Sequence, residues 1–557
     1  MEDNSLDRPC IKENVAESFR DKLKLLLYTG KTQLRGGLNR WRLLFLGFAL
    51  VYMFILLFNL TKAPILWDEV SHLNSGSLLY MGHYSEFLDR AFYPPLFDVL
   101  TFISFKTFGI SLFAARLPSA IFAVLSLWAV FELAYYLYNG KVGLLSAIIL
   151  GIMPGVFWLS GYAMLETILI FFVTISLLCF YRWLTTRQNR MLIISGLAFG
   201  LGFLAKYQML IIVVIMLLSS ILLVRKQLKF VFKKLSTVIA TAGLVVTPWI
   251  IICYQVYKSG FLGQWFYVLQ TGNVGRSVYS TRFPLPIFYF IEMVWPHNDF
   301  HPISIFCYIL GLTGLAYMTW RHKREDKFLL LWFAVIFIFY TLIPNKDWRY
   351  VVPLFPILAI SASSIVLALG GTLQKAWKKP SSVNRKRLAK TASVVLIAVV
   401  AGAMFYSTYD TYSFTLKTNS ITIDIEGATS YALTHMEDNK SIMVLCPLNF
   451  FNYDMAQFYL WEKGDYHTKV FQYPSLAVDA YTPDFNITEL IEQCKQYNIQ
   501  YVLAYEYGGV TVQYYETTLN FQRVYEQLYA SGNFTHITEE QTFGTSPHRI
   551  FILNFTG

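Results

Sequence analysis

The sequence predicts a polytopic α-helical membrane protein of about 11–13 transmembrane helices, with a C-terminal extracytoplasmic α/β domain. Three observations predict it. The chain is 55% hydrophobic and only 15% charged over 557 residues, with a mean hydropathy of +0.44, whereas soluble domains sit near 25% charged. Apolar stretches of spanning length recur from residue 43 to residue 409, separated by short polar breaks. After residue 410 the composition shifts to Tyr, Asn, Thr and acidic residues.

Forty-six Lys and Arg face thirty-five Asp and Glu, a net charge of +11. In a membrane protein that excess belongs to cytoplasmic loops; no nucleic-acid-binding motif accompanies it. The first 40 residues are polar and basic, and no short apolar core with a small-residue cleavage site follows them, so the first span is expected to serve as an uncleaved anchor. The cysteines Cys10, Cys179, Cys253, Cys307, Cys446 and Cys494 form no CxxC or Cys/His cluster. Cys446 and Cys494 share the soluble region, where a disulfide or two free buried thiols are both compatible with the sequence.

Apolar segments fall at 43–60, 95–109, 117–138, 142–160, 163–182, 190–205, 207–224, 235–257, 302–320, 328–344, 350–369 and 391–409. Positive charge orients them. Residues 1–42 carry Lys22, Lys24, Lys31, Arg35, Arg40 and Arg42, which makes this segment cytoplasmic; the basic loops at 182–190, 225–234, 321–327 and 375–390 should face the same side. Asp68 then lies outside, after the first span, and Glu166 also lies outside, at the start of the span that ends at the 182–190 loop. An even number of crossings must separate them, yet three apolar segments intervene. Segment 95–109 is short, holds Lys106 and follows a Pro-Pro break, so it reads as an interfacial helix of the first outer loop, 61–116. Eleven spans result, with the N-terminus inside and the C-terminus outside; the alternative is a 13-span count in which 95–109 and one further segment cross.

The membrane domain thus covers 43–409, and a long outer loop, 258–301, is rich in aromatics, Gly and Pro. The tail, 410–557, reads as a small α/β domain: Ser441–Cys446 a buried strand, Ile487–Tyr497 an amphipathic helix, Gln500–Ala504 a second strand. Its three sequons, Asn486, Asn533 and Asn554, fit an outer location. No repeat of 20–50 residues marks a solenoid.

Candidate chemistry concentrates at the outer ends of the spans. Asp68 and Glu69 are adjacent carboxylates beside a membrane, able to deprotonate an acceptor or ligate a metal; their plain alternative is a helix-start cap. Tyr93-Pro94-Pro95-Leu96 turns the loop sharply before a helix. Arg116 at a helix start suits lipid phosphate or snorkelling. Glu166 is an acid in apolar surroundings on the same face as Asp68. Lys206 lies between two spans with no other charge near it. Lys346 and Arg349, in Asn345-Lys346-Asp347-Trp348-Arg349-Tyr350, are outer cations against the positive-inside trend and could clamp phosphate. His297 and His301 share the outer loop at a four-residue spacing that could hold a metal, although the proline-flanked segment between them favours ordinary loop histidines.

In this order, Asp68-Glu69, Tyr93-Pro94-Pro95-Leu96, Ala115-Arg116-Leu117-Pro118-Ser119, Glu166, Leu204-Ala205-Lys206-Tyr207 and Arg349-Tyr350 ahead of Pro353 and Pro356 form a pattern. It resembles the C-type glycosyltransferases (GT-C fold), especially the branch of protein O-mannosyltransferases and bacterial aminoarabinose-to-lipid-A transferases, over residues 43–370. The resemblance implies a transferase that takes a sugar from a polyprenyl-phosphate-linked donor, within membrane lipids, to a protein or a lipid/glycan acceptor, with inversion at the anomeric carbon. It further implies an active site on the non-cytoplasmic face of the cell membrane, or of the endoplasmic reticulum in a eukaryote. Carried over, Asp68 is the base with Glu69 its neighbour, and Glu166 is the second acid. Arg116, Lys206, Lys346 and Arg349 face the donor phosphate, and Tyr93, His297 and His301 line the acceptor or donor. The acids permit a divalent metal ion, with Asp68 and Glu166 its candidate ligands. Tyr93 stands where aminoarabinose transferases usually carry lysine, and Tyr-Pro-Pro-Leu is also similar to dolichyl-phosphate-glucose transferases, which leaves the donor open.

A secondary transporter or lipid flippase, or a non-catalytic scaffold of the same fold, would account for the hydropathy as well. A transporter would place its charges near the midplane, whereas most candidates here lie at span ends.

Overall fold

A computed structural model of the chain describes residues 39–89, 93–260, 263, 284–295, 301–343, 346–378, 382–419, 423–445, 451–473, 486–506, 521–535, 541–545 and 548–557. Six described helices are long and apolar enough to cross a membrane: Arg40–Asn59, Leu112–Leu137, Glu166–Thr186, Leu228–Tyr257, Trp348–Lys378 and Val383–Asn419. A seventh results if Gly140–Gly151 and Pro154–Ser160, bent by 69° at Pro154, form one span. Helices Asn189–Ala205, Tyr207–Leu223, Ile305–Arg321 and Arg324–Leu342 occupy four more of the expected positions. Each is about 26–29 Å long, just under the hydrocarbon thickness of a typical bilayer.

Segment 95–109 forms the helix Leu96–Phe108, whose 13 residues reach only about 20 Å. It lies beside Trp67–Met81, with His72 on Asp98 and Lys106 on the carbonyl of Tyr80. Both contacts advance together along the two helices, so the pair runs parallel. That register brings the turn at Tyr93–Pro95 to the level of Asp68. A helix this short, laid against another loop helix, does not cross.

Polar contacts tie the opposite ends of the bundle together. Glu132 accepts from Arg42 at 2.9 Å and Arg182 at 3.3 Å. Tyr138 donates to Asp326, which Arg321 also grips, and Arg187 reaches Gln227. These links join the first span and the ends of five helices that border the basic loops. Arg116 and Glu132 sit 16 residues apart on one helix, about 24 Å, so the basic layer and the Asp68 layer occupy opposite membrane faces.

Inside the bundle, close packing depends on small residues. A Cβ on Gly314 would stand 2.2 Å from the carbonyl oxygen of Ser361, so helices Ile305–Arg321 and Phe355–Lys378 touch backbone to backbone there. By contrast the Arg40–Asn59, Leu228–Tyr257 and Val383–Asn419 spans bury 22%, 28% and 11% of their apolar windows, and their outer faces meet lipid.

The tail forms a sheet of order β2-β1-β3-β6-β4, with β5 on β6. Strands β1 (Ser441–Leu445), β2 (Val470–Tyr473) and β3 (Ile499–Tyr505) are parallel; β6 (Ile550–Phe555) runs antiparallel to β3, β4 (Phe534–Thr535) and β5 (Thr542–Phe543). The two expected strands and the helix Ile487–Gln496 are present. Side chains alternate across the sheet: Ile442, Val444, Leu503 and Ile552 join the core continuous with the membrane helices. Met443, Leu445, Val502 and Leu553 close a second core with Leu490 and Cys494. Cys494 is fully buried, and Cys446 and His297 lie outside the described residues. Helix Tyr453–Glu462 fastens the tail to the outer loop: Asn74 donates to Asp454 at 2.8 Å, Phe458 packs on Phe105, and Glu462 accepts from the Leu112 N–H.

Gly314→Val should force the two helices apart and lower stability by about 1–3 kcal/mol, read as a lower melting temperature of the detergent-solubilised protein.

Candidate active site

Helix Trp67–Met81 begins just after the first span, with Leu66 as its N-cap. Glu69, at the third helical position, turns back to accept from the Leu66 N–H at 2.9 Å, as a capping carboxylate does. Its remaining capacity is spent inward. Arg116 donates to its two oxygens at 2.5 and 3.0 Å, and the Ala163 N–H donates at 2.8 Å. Both partners of this pair are fully buried.

Arg116 spends its other N–H groups on the carbonyls of Leu60, Ala63 and Pro64 at 2.7–2.9 Å, and its guanidinium lies 4.7 Å from the Tyr162 ring centroid. All five donors are therefore committed. The expectation that Arg116 faces a donor phosphate is corrected: it knots the end of the first span, the Asp68 helix, the Leu112–Leu137 span and the Ala163 loop. Glu69 is likewise a structural acid rather than a catalytic one, since a fully ion-paired, buried carboxylate presents no free oxygen.

Around this knot the chain repairs its own defects. Pro118 removes the N–H that would reach the Ala114 carbonyl, and the Ser104 hydroxyl fills the vacancy at 2.6 Å. Ser119 then donates to the Met164 carbonyl at 3.0 Å and accepts from the Met164 N–H at 3.1 Å, which holds the segment leading to Glu166.

Asp68 points the other way. Its side chain is 49% exposed and its Oδ2 accepts from Arg349 at 2.5 Å. Arg349 is shared: Nε and Nη2 donate to Asp347 at 3.0 and 2.8 Å, while the Asp347 Oδ1 caps the following helical turn through the Arg349 N–H at 2.8 Å. Burial pushes the Asp347 carboxyl up, but Arg349, by charge and hydrogen bonds, and Lys206 outweigh it and hold the group below the usual carboxylate range. Glu166 opens the next span, and its Oε1 accepts from Lys206 at 2.7 Å. Its Oε2 is buried and has no hydrogen-bond partner among the described residues. Arg349 also acts on the charge of Glu166. Asp68, Glu166, Lys206, Asp347 and Arg349 thus form one cluster, with two cations among three carboxylates. Asp347 was not singled out in the sequence, although its place before Arg349 made it legible as a helix cap.

Lys346 is corrected as well. Its Nζ donates to the carbonyls of Tyr340, Thr341 and Ile343, capping the Arg324–Leu342 helix. Burial pushes the ammonium down to about 8. Tyr93 is 52% exposed, with Pro94 and Pro95 buried beneath it. His301 Nδ1 meets the Val294 carbonyl, a loop contact. Asp68 and Glu166 each already hold a cation. No group of three His, Cys, Asp or Glu residues among the described residues could ligate a metal. With Lys206 and Arg349 already against them, Asp68 and Glu166 do not fit a divalent ion.

One pair went unnoticed in the sequence: His72, one turn beyond Asp68, holds Asp98 at 2.7 Å.

Fold and site together describe a polytopic membrane protein with a cluster of charged side chains at one end of its bundle. Residues 93–252 match the dolichyl-phosphate-mannose-protein mannosyltransferase family. Similar curated proteins are the undecaprenyl phosphate-alpha-4-amino-4-deoxy-L-arabinose arabinosyl transferases. That of Proteus mirabilis is 25% identical over 386 residues, 66% of this chain and 67% of its own. That of Pseudomonas fluorescens is 26% identical over 315 residues, 54% of this chain and 51% of its own. The alignments therefore span between about half and two thirds of these relatives. The crystal structure of ArnT from Cupriavidus metallidurans bound to undecaprenyl phosphate superposes with a TM-score of 0.60 at 14% identity, covering 92% of this chain and 98% of that one; its apo form gives 0.62 at 13%, covering 92% and 97%. Residues 93–252 thus match a membrane glycosyltransferase family, the fold is shared with ArnT of the GT-C fold, and together they support a multi-pass membrane glycosyltransferase that depends on a polyprenyl-phosphate sugar.

Removing one partner of the Glu69–Arg116 pair leaves an uncompensated buried charge, which typically costs about 3–5 kcal/mol. Arg116→Met should lower stability by that order, and Arg116→Met combined with Glu69→Leu should recover a large part of it; thermal melts of the two variants check this.

Proposed function

We propose that the protein transfers a pentosyl sugar of the aminoarabinose type from undecaprenyl phosphate to a lipid or glycan acceptor on the non-cytoplasmic face of the membrane. The observation that carries this reading is the Asp68–Arg349 contact, set beside Lys206–Glu166. The pair is open to solvent on its Asp68 side, so an arriving phosphate can approach Arg349 there and take over its contact with Asp68. The donor phosphate would then lie against Arg349 and Lys206, which stabilise the charge that develops as the C1–O bond breaks. Asp68, released from Arg349, is left facing the acceptor. Its carboxylate takes the hydroxyl or amine proton as the acceptor attacks C1, and the phosphate leaves with the bonding electrons. A single displacement of this kind inverts the anomeric centre. Glu166 and Asp347 hold Lys206 and Arg349 in position, and Tyr93, carried by the register of the loop helices to the level of Asp68, lines the entry for the sugar.

The relatives named for aminoarabinose support the pentosyl donor, and the basic layer on the far side of the bundle supports an outer site. Tyr93, where lysine is usual in that branch, favours a changed acceptor or sugar substituent over a changed reaction.

The test uses full-length protein in nanodiscs with undecaprenyl-phosphate aminoarabinose and undecaprenyl-phosphate mannose, reading released undecaprenyl phosphate and label in lipid and protein fractions. Label from the aminoarabinose donor should enter lipid or glycan with the opposite anomeric configuration; transfer from mannose alone, or into protein alone, would overturn the assignment. Lys206→Met removes one charge-assisted hydrogen bond, worth about 1.5–3 kcal/mol, and should raise the KM for donor about 10- to 100-fold.

A further inference from the structure

On helix Trp67–Met81, Asp68 and His72 are one turn apart and share a stripe. His72 is nearly buried: its Nδ1 lies 2.7 Å from Oδ1 of Asp98, with side chains 16% and 9% exposed. The edge of the imidazole is set against the Phe97 ring, with centroids 5.1 Å apart. An imidazole held at Nδ1 by a carboxylate has one orientation and one tautomer, with the Nε2 lone pair directed away from that carboxylate. The same two loop helices also meet where Gly76 faces Thr101 and where Lys106 reaches the Tyr80 carbonyl.

Asp68 cannot keep the proton it takes, because a neutral carboxyl no longer re-forms its ion pair with Arg349 for the next cycle. We propose that His72, oriented by Asp98, receives the acceptor proton from Asp68 and passes it to solvent. The step balances. The acceptor oxygen or nitrogen bonds to C1, the C1–O bond breaks with its electron pair going to the polyprenyl phosphate, and the proton moves to Asp68. It then passes to His72 Nε2, directly or across one water, and on to bulk. His72 acts through Asp68, so it is a positioning and relay residue and not a group in contact with the sugar. This inference rests on the reading of Asp68 as the base.

The charges around His72 suit that role. Its own helix contributes Asp68, and also Glu69, which Arg116 neutralises on the inner face. The Leu96–Phe108 helix contributes Asp98, with Lys106 two turns away on Tyr80. The tail helix Tyr453–Glu462 contributes Asp454, engaged by Asn74, and Glu462, engaged by the Leu112 N–H. The short helix Tyr84–Leu88 contributes Glu86, paired with His83 at 3.4 Å, and Arg349 reaches the stripe only through Asp68.

The experiment measures kcat and KM for nanodisc-reconstituted full-length protein with and without added imidazole. It uses whichever donor of the two-donor panel the wild type turns over faster, with membranes of a strain lacking the gene as acceptor. His72→Asn retains a side-chain N–H for Asp98 but cannot accept a proton. It should fold, keep KM within about two-fold and lose at least tenfold in kcat, with part of the loss recovered by added imidazole. Asp98→Asn keeps the imidazole but removes the carboxylate that orients it, so kcat should fall several-fold at unchanged KM. Wild-type kcat in His72→Asn or in Asp98→Asn, or a loss in His72→Asn that imidazole does not relieve, would reduce the pair to a clasp between two helices and overturn the proposal. Asp68→Asn separates the two readings: if it stays active, the base assignment itself fails, whatever His72 does.

Discussion

The outer half of this protein is organised by one buried ion pair. Arg116 and Glu69 meet with no exposure at all, and between them they satisfy carbonyls from the end of the first span, the N-terminus of the Asp68 helix and the Ala163 N–H ahead of Glu166. A charge pair removed from water is tolerable only when each lone pair and proton finds a partner, and here all of them do. The consequence reaches beyond stability. With Glu69 fixed inward at the third helical position, Asp68 at the second position is held outward, beside Arg349 and within the field of Lys206 and Glu166. Two adjacent carboxylates therefore have divided roles: one assembles the site and the other faces it.

The rest of the architecture follows from that placement. The parallel helices of the first loop bring the Tyr93–Pro95 turn to the level of Asp68, and the tail helix Tyr453–Glu462 closes over them through Asn74, Phe105 and the Leu112 N–H. The α/β tail is no separate bead on the chain: one face of its sheet shares the core of the membrane helices. At the other membrane face, Glu132 with Arg42 and Arg182, and Asp326 with Arg321 and Tyr138, bind the span ends so that the outer cluster rests on a bundle fixed at both ends.

Much of this was legible in the sequence, because hydropathy and charge act locally. The eleven apolar positions carry helices, the parity of positive loops puts Asp68 and Glu166 on one face, and the short segment with Lys106 is indeed too short to cross. The apolar runs Ser441–Cys446 and Gln500–Ala504 marked two strands, which the structure places at Ser441–Leu445 and Ile499–Tyr505. The division of labour among the charges was not legible. A sequence places Arg116 and Lys346 at the outer surface but cannot say which way their side chains turn; the capping of three carbonyls by Lys346 and the exhaustion of all five Arg116 donors are properties of packing. For the same reason Asp98 and His72, 26 residues apart, gave no sign of meeting until the register of two loop helices was known. The carboxylates also looked free to hold a metal, until Lys206 and Arg349 were found against them.

The division between Asp68 and Glu69 is tested most directly by placing Asp68→Asn and Glu69→Gln side by side, with melting temperature and turnover per folded molecule measured on the same preparations. The account predicts a crossed result: Asp68→Asn melts with the wild type and has no detectable turnover, whereas Glu69→Gln melts well below it and keeps most of its turnover per folded molecule. A Glu69→Gln protein that is stable and inactive, or an Asp68→Asn protein that still transfers sugar, would contradict it.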